Sequence, residues 1–285
     1  MKNLKSILFT ASVIAATSIF AQIESPQPSP TATISQKVGL TDVEVTYSRP
    51  GVKDRVIFGD LEKYDVLWRT GANATTKVKF SEAVKINGTG IPAGEYSLFT
   101  IPGKDEWTIV FNKNLTLWGT AGYKEEEDVA RFNVKATKLN DKIETLTIDF
   151  SDFTFSGAKM YLKWENTMVS FQIETNATEQ VEKQIKTQLV DGPSAGSYAA
   201  AARFYLENGK DLTQALTWMN KAVEKRPEAF WYVHQQAQIL AKMGKNKEAI
   251  VAAEKSMKMA KENKDGDFGY VASNEKLIKE LQGKK

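Results

Sequence analysis

Residues 91–112 read IPAGEYSLFTIPGKDEWTIVFN. Trp107, Ile109 and Phe111 alternate with Thr108 and Val110, the period of two that puts one apolar face on a half-buried strand. Pro92-Ala93-Gly94 precedes the strand-like EYSLFTI, and Pro102-Gly103-Lys104-Asp105 separates that run from EWTIVFN. A four-residue connection cannot carry a chain back to a parallel start, so the two strands must run antiparallel.

The same period extends on both sides. Val43, Val45 and Tyr47 alternate with Glu44, Thr46 and Ser48, and Asn87-Gly88 marks another turn. Further along, the pattern recurs in Leu146, Ile148 and Phe150, in Met160, Leu162 and Trp164, and in Val169, Phe171 and Ile173. About eight to ten such strands without intervening helical period predict an antiparallel β-sandwich or barrel over residues 33–175. At Asn176 the period changes. Val181, Ile185 and Leu189 sit four apart, and from Ser197 onward alanines and large apolar residues recur at three and four, so residues 176–285 are expected to be all-α. The fold class is therefore α+β and multidomain.

Between the second and third apolar runs lies YSRPGVKDRVIFGDLEKYDVLWRTGANATT, residues 47–76. It gathers Arg49, Arg55, Trp68, Arg69 and Asn73 between turn signals. Guanidinium forks pair with carboxylates and an indole stacks on a sugar or ring, so these five are candidates for holding a small anionic or glycan ligand. The alternative is that Arg49, Arg55 and Arg69 pair with Glu44, Asp60 or Asp65 and lace the sheet edge together. A ligand site requires Arg49, Trp68, Arg69 and Asn73 on one rim, with Trp68 partly exposed. The segments YSRPG, VKDR, IFG, WRTGANATT, IPAGEYSLFTIPG and EWTIVFN, in that order, resemble the bacterial family called domain of unknown function 2911 over about residues 29–175. The resemblance implies the β-domain and leaves its activity open.

In the helical part, Ala215 and Ala249, Leu212 and Asn246, and Ala222 and Ser256 are each 34 positions apart. That period resembles the tetratricopeptide repeat. Ala202, Ala215, Ala222 and Pro227 match one unit's small and terminal positions, and Ala237, Gly244 and Ala249 match the next. Tyr198 and Val233 stand where the signature Trp belongs, which makes the units degenerate. The resemblance implies a concave protein-binding groove lined by Trp231, His234, Gln238 and Lys242, taking an envelope protein or peptide as partner; the alternative is an exposed helix face with one aromatic tucked against its neighbour.

The chain opens MKNLKSILFTASVIAATSIFAQ, with two lysines, an apolar run and a small residue before Gln22. Residues 1–21 are expected to be a cleaved signal peptide and residues 22–32, with three prolines, an extended arm. Without any cysteine to carry a lipid, the mature chain is expected to be periplasmic or secreted and to have no transmembrane segment. The formal charge of +3 falls to +1 when Lys2 and Lys5 leave with the signal, and the lysines of the helical part lack interleaved aromatics; no nucleic-acid partner is expected.

One histidine and no cysteine exclude ordinary zinc sites and Ser-His or Cys-His catalysis in the β-domain, and no cofactor is expected. Gly192-Pro193-Ser194-Ala195-Gly196 fits the pattern of a nucleophile elbow, yet a helix precedes it where a strand is needed, so it reads as an interhelical linker. The acidic run Glu125–Asp128 lacks the spacing of a calcium loop and reads as a solvated surface. Carboxylate chemistry remains, with Asp60, Glu62, Asp65 and Glu95 available. The leading expectation is a non-enzymatic envelope binding protein; a carboxylate-dependent hydrolase of envelope glycans and a structural assembly factor are the alternatives.

Overall fold

The structure is a computed structural model that describes residues 25–190 and 192–283; the segment read as a signal peptide lies outside them. The chain forms two compact units that divide between Thr175 and Asn176.

In the first unit nine strands form one antiparallel sheet: β1 (Thr31–Val38), β2 (Thr41–Ser48), β3 (Thr76–Phe80), β4 (Val84–Ile86), β5 (Thr89–Ile91), β6 (Gly94–Ile101), β7 (Glu106–Asn112), β8 (Asp128–Ser151) and β9 (Gly157–Thr175). The spatial order is β1-β2-β3-β6-β7-β8-β9-β4-β5. In β2 the alternation is literal: Val43, Val45 and Tyr47 are buried while Asp42 and Glu44 are exposed. The long strand β8 serves two layers. Its first part pairs with β7, from Glu106↔Lys135 to Phe111↔Ala130, and its second part pairs with β9. Register shifts after Lys138 and Ile143 bend the strand between these parts, as bulges do.

The bend folds the sheet over its own apolar face, as in a sandwich. The backbone N–H of Ile148 on β8 donates to Tyr47 Oη on β2 at 3.0 Å, and Val45, Val78, Leu98, Ile109, Leu146, Leu162 and Ile173 share one buried core. The strand Thr31–Val38 begins where the extended arm was expected to end. That arm is tied down at its end: Pro30 O accepts the Arg49 N–H at 2.9 Å, and Ser29 O accepts from Asn73 Nδ2 at 3.5 Å.

The second unit has six helices: α1 (Ala177–Gln188), α2 (Ala195–Glu207), α3 (Leu212–Lys225), α4 (Phe230–Lys242), α5 (Asn246–Glu262) and α6 (Tyr270–Gln282). Ser194 Oγ accepts the Ser197 N–H at 3.0 Å, so the serine of the elbow-like motif is the N-cap of α2. Asp211 caps α3 in the same way, at 2.8 and 3.2 Å from the N–H groups of Thr213 and Gln214. Gly244, at φ 77°, ends α4 in the left-handed conformation that glycine tolerates best. Ala202, Ala215, Ala222, Ala237, Ala249 and Ala253 are fully buried, and a side chain that small lets helices approach closely. Among the described residues no helix is long and apolar enough to cross a membrane.

Candidate functional site

Residues 49–75 connect β2 to β3, and the connection is held by the sheet itself. Trp68 donates its N–H to Thr100 O at 2.7 Å and accepts from Thr100 N–H at 2.9 Å, extending the line of β3 beside β6. Residues 69–75 are looped out between Trp68 and Thr76 and closed by the Thr76 N–H on Arg69 O at 3.3 Å. The loop is strained: Thr70 at φ 54° and Asn73 at φ 60° lie in the left-handed region, as do Lys53, Asp54 and Asp65 earlier in the connection. For a β-branched residue such as Thr70 this is an outlier, and such outliers concentrate where function needs a fixed shape. Thr70 is held by its Oγ1 donating to Thr100 Oγ1 at 3.1 Å, and its carbonyl accepts from Thr76 Oγ1 at 2.6 Å.

Trp68 is not at the rim. It is 4% exposed and stacks on Trp164 at 5.7 Å between centroids, with Phe58 and Trp107 edge-on at 6.0 and 6.2 Å. Its Nε1 donates to Gly71 O at 3.1 Å, which pins the looped-out segment to the core. The ligand-site expectation required Trp68 to be partly exposed on the rim; pairing with Thr100 carries the indole inward instead.

The arginines divide into two groups, and none pairs with Glu44, Asp60 or Asp65. Arg49 donates from Nε to Leu146 O and from Nη2 to Thr147 Oγ1, both at 3.0 Å, bracing β2 against β8. Asn73 donates to Ser48 Oγ at 3.3 Å and belongs to the same brace. Arg55 is exposed; its Nε donates to Val52 O at 3.0 Å and its Nη2 to Gly51 O at 2.7 Å. Asp60 pairs with Lys63 on the surface at 3.4 Å, and the Glu44 carboxylate accepts from Ser35 Oγ.

Arg69 differs from the rest. Its Nε is buried and finds no acceptor, and among the described residues its guanidinium makes no hydrogen bond or ion pair. A buried donor without an acceptor costs about 1–3 kcal/mol, so an orphan of this kind calls for an explanation; Trp164 Nε1, in the same unit, is another. Gly119 covers Arg69: a Cβ built there would lie 3.2 Å from Arg69 Nη1, and Gly119 has φ 90°. Gly119 is brought into place by the Ala74↔Trp118 bridge, with the Thr75 N–H on Leu117 O at 3.4 Å. The neighbouring Trp118 is 71% exposed.

Glu62 lies within the field of Arg69 and Arg55. Its loop turns on Ile57 O, which accepts the Glu62 N–H at 2.9 Å, while Glu62 O accepts the Gly59 N–H at 2.8 Å. Glu62 is half-buried, and among the described residues its carboxyl receives no hydrogen bond. Burial pushes it up from 4.5 to about 7; the positive fields of Arg69 and Arg55 oppose that rise without cancelling it. A carboxyl pushed up by burial within the field of an unpartnered guanidinium is a combination that structural braces do not need. A brace in the same unit shows the contrast. Asp128 accepts from Tyr123 Oη at 2.6 Å, from Asn112 Nδ2 at 2.8 Å and from Arg131 at 3.1 Å, so each member is paired.

Residues 29–173, just over half of the chain, match the family described as Protein of unknown function (DUF2911). The chain belongs to this family. No curated protein matches it. The arginine and carboxyl site lies wholly inside the DUF2911 region. Sequence reading placed Glu62 among available carboxylates without singling it out, and missed Trp118 and Gly119. The aromatic-glycine pair in the run LTLWGTAG, residues 115–122, was the available signal for these two.

In the helical unit, a groove of about 460 Å³ runs across α2, α4 and α6. Gln238 and Lys242 line it with Arg203, Leu206, Glu207 and Leu277. The other two groove candidates are placed elsewhere. His234 is 8% exposed, with Nδ1 2.7 Å from Asn274 Oδ1 and its ring edge-on to Tyr270. Asn274 Nδ2 donates to Ser256 Oγ at 3.0 Å and to Tyr270 O at 2.7 Å, so both amide hydrogens are committed and His234 Nδ1 must carry the proton. Trp231 lies under Arg226, whose guanidinium is 5.0 Å from the ring centroid. Among the described residues no group of three or more His, Cys, Asp or Glu side chains is placed to hold a metal ion.

Proposed function

We propose that this chain is an exported envelope protein whose β-unit binds a small carboxylate-bearing ligand, such as an acidic sugar, and whose helical unit docks a protein partner. The observation that carries the reading is the buried Arg69 Nε, which has no acceptor among the described residues, with the Glu62 carboxyl within its field. An incoming carboxylate accepts from the Arg69 fork in the bidentate geometry guanidinium favours. Exposed Trp118, next to Gly119, offers an apolar ring for a sugar face. The candidate set is thus recomposed: Arg55 and Arg69 stay with the ligand, joined by Glu62 and Trp118, while Arg49, Trp68 and Asn73 hold the scaffold.

Binding is favoured over hydrolysis by what acts on Glu62. A glycosidase needs a second carboxylate about 5–10 Å away, whose charge would lift the first. The charges that weigh on Glu62 are those of Arg69 and Arg55, and both lower its pKa where a carboxylate would raise it. For the helical unit, the 34-residue offset between the starts of α3 and α5 and a groove formed by alternate helices support a tetratricopeptide-like docking surface.

Isothermal titration of the full chain with glucuronate tests the reading. Heat of binding is expected for wild type and its loss for Arg69→Met, which keeps the aliphatic stem and removes the fork. Equal binding by both chains, or none by wild type, overturns it.

A further inference from the structure

We propose that the β-unit pairs with a second copy of itself along β1, so that two nine-stranded sheets run on as one across a two-fold axis at Ile34. The two edges of the sheet are built differently. At one end β5 is three residues long and includes Gly90, a short edge that offers little to pair with. At the other end β1 runs for eight residues, in unbroken register from Thr31↔Ser48 to Val38↔Thr41. No bulge interrupts it, and Pro30 stands before it and not within it. Its lysine, Lys37, is neutralised by Asp42 at 2.6 Å. Chains that stay single normally blunt so long an edge with a bulge, a proline or a free charge.

One contact fixes which groups of β1 face outward. Arg49 donates its N–H to Pro30 O at 2.9 Å, which makes these two residues a hydrogen-bonded pair. Bonded and non-bonded pairs alternate along an antiparallel ladder, so Ala32, Ile34, Gln36 and Val38 bond to β2. Thr31, Thr33, Ser35 and Lys37 therefore turn their N–H and C=O groups away from it. Among the described residues these N–H groups meet no acceptor, and the outward carbonyl that is engaged is Lys37 O, which accepts from Gln36 Nε2 at 2.9 Å.

A second β1 fits this edge best in one register. Antiparallel pairing of Thr31 with Lys37 and of Thr33 with Ser35, in both directions, matches all four outward residues of each copy and closes about eight backbone hydrogen bonds. A slip of two residues either way leaves one of the four without a partner inside the strand. The charges agree: each Lys37 faces a threonine, and the two lysines lie at opposite ends of the ladder. On the axis Ile34 meets its own counterpart, and this side chain is half-buried at the margin of the core, where an added apolar neighbour shields it further.

A chain without cysteine lets the register be read by cross-linking. Across a non-bonded pair the Cα atoms stand about 4.5 Å apart, within the span of a disulfide, so Ile34→Cys is expected to oxidise to a covalent dimer. Thr33 is the more exposed of the two, yet in this register it stands about 9 Å from its counterpart, beyond that span. Thr33→Cys is expected to cross-link at roughly a tenth of the rate or less. Sedimentation velocity of the unsubstituted protein at roughly 100 μM, a concentration suited to a small interface, should show the dimer. Ser35→Pro should be monomeric there with an unchanged circular dichroism spectrum, because the N–H it removes points away from β2. If that variant does not fold, the two cysteine variants decide. A monomeric unsubstituted protein, equal cross-linking at positions 33 and 34, or a dimer that survives in folded Ser35→Pro overturns the proposal, and none of these results bears on the Arg69 site.

Discussion

Replacing Glu62 by Gln should stabilise the protein, and only at high pH. In the unfolded chain this carboxyl titrates near 4.5, whereas in the folded chain burial holds it at about 7. Between those values the folded protein keeps a proton that the unfolded chain has released, so stability falls as pH rises from 4.5 through 7. Above that window the folded state carries a desolvated charge in full. Solvent reaches part of this half-buried carboxyl, which screens the penalty to roughly 1–2 kcal/mol. Glutamine has the shape of the protonated acid and never ionises, so the variant escapes the penalty. Urea melts of wild type and Glu62→Gln at pH 5 and pH 8, compared at equal slope, measure the difference. The two chains should match at pH 5 and part by about 1–2 kcal/mol at pH 8, the variant being the more stable. Other titrating groups contribute equally to both chains and drop out of the comparison. A gap that is the same at both pH values, or a variant weaker at pH 8, would refute the desolvated-carboxyl reasoning.

Arg49→Ala should destabilise by about 1.5–3 kcal/mol in the same melts, because it removes a charged donor from Leu146 O and Thr147 Oγ1; a change within 0.5 kcal/mol, the usual range for a surface residue, would show that it braces nothing. Asn274→Ala should cost about 2–3 kcal/mol, since it leaves His234 Nδ1 and Ser256 without their shared partner in a closed core. Thermal unfolding monitored by circular dichroism at 222 nm reads that loss, and an unchanged midpoint would mean water replaces the amide.

Much of this architecture was legible because strand and helix periods are local. Val43, Val45 and Tyr47 announce their buried face within eight residues, and the change of period at Asn176 falls where the two units divide. The bend in β8 was not legible, since a 24-residue strand that serves two layers keeps one period while its partners change from β7 to β9. The site failed to show for a related reason. Whether an arginine is brace or binder depends on what stands opposite, and for Arg49 that is Leu146 and Thr147, nearly a hundred positions away. Arg69 owes its exceptional state to a loop some fifty residues on, where Gly119 covers it without offering an acceptor. Composition could nominate both arginines for their chemistry. Only the fold, by giving Arg49 two acceptors and leaving Arg69 Nε without one among the described residues, separates the two.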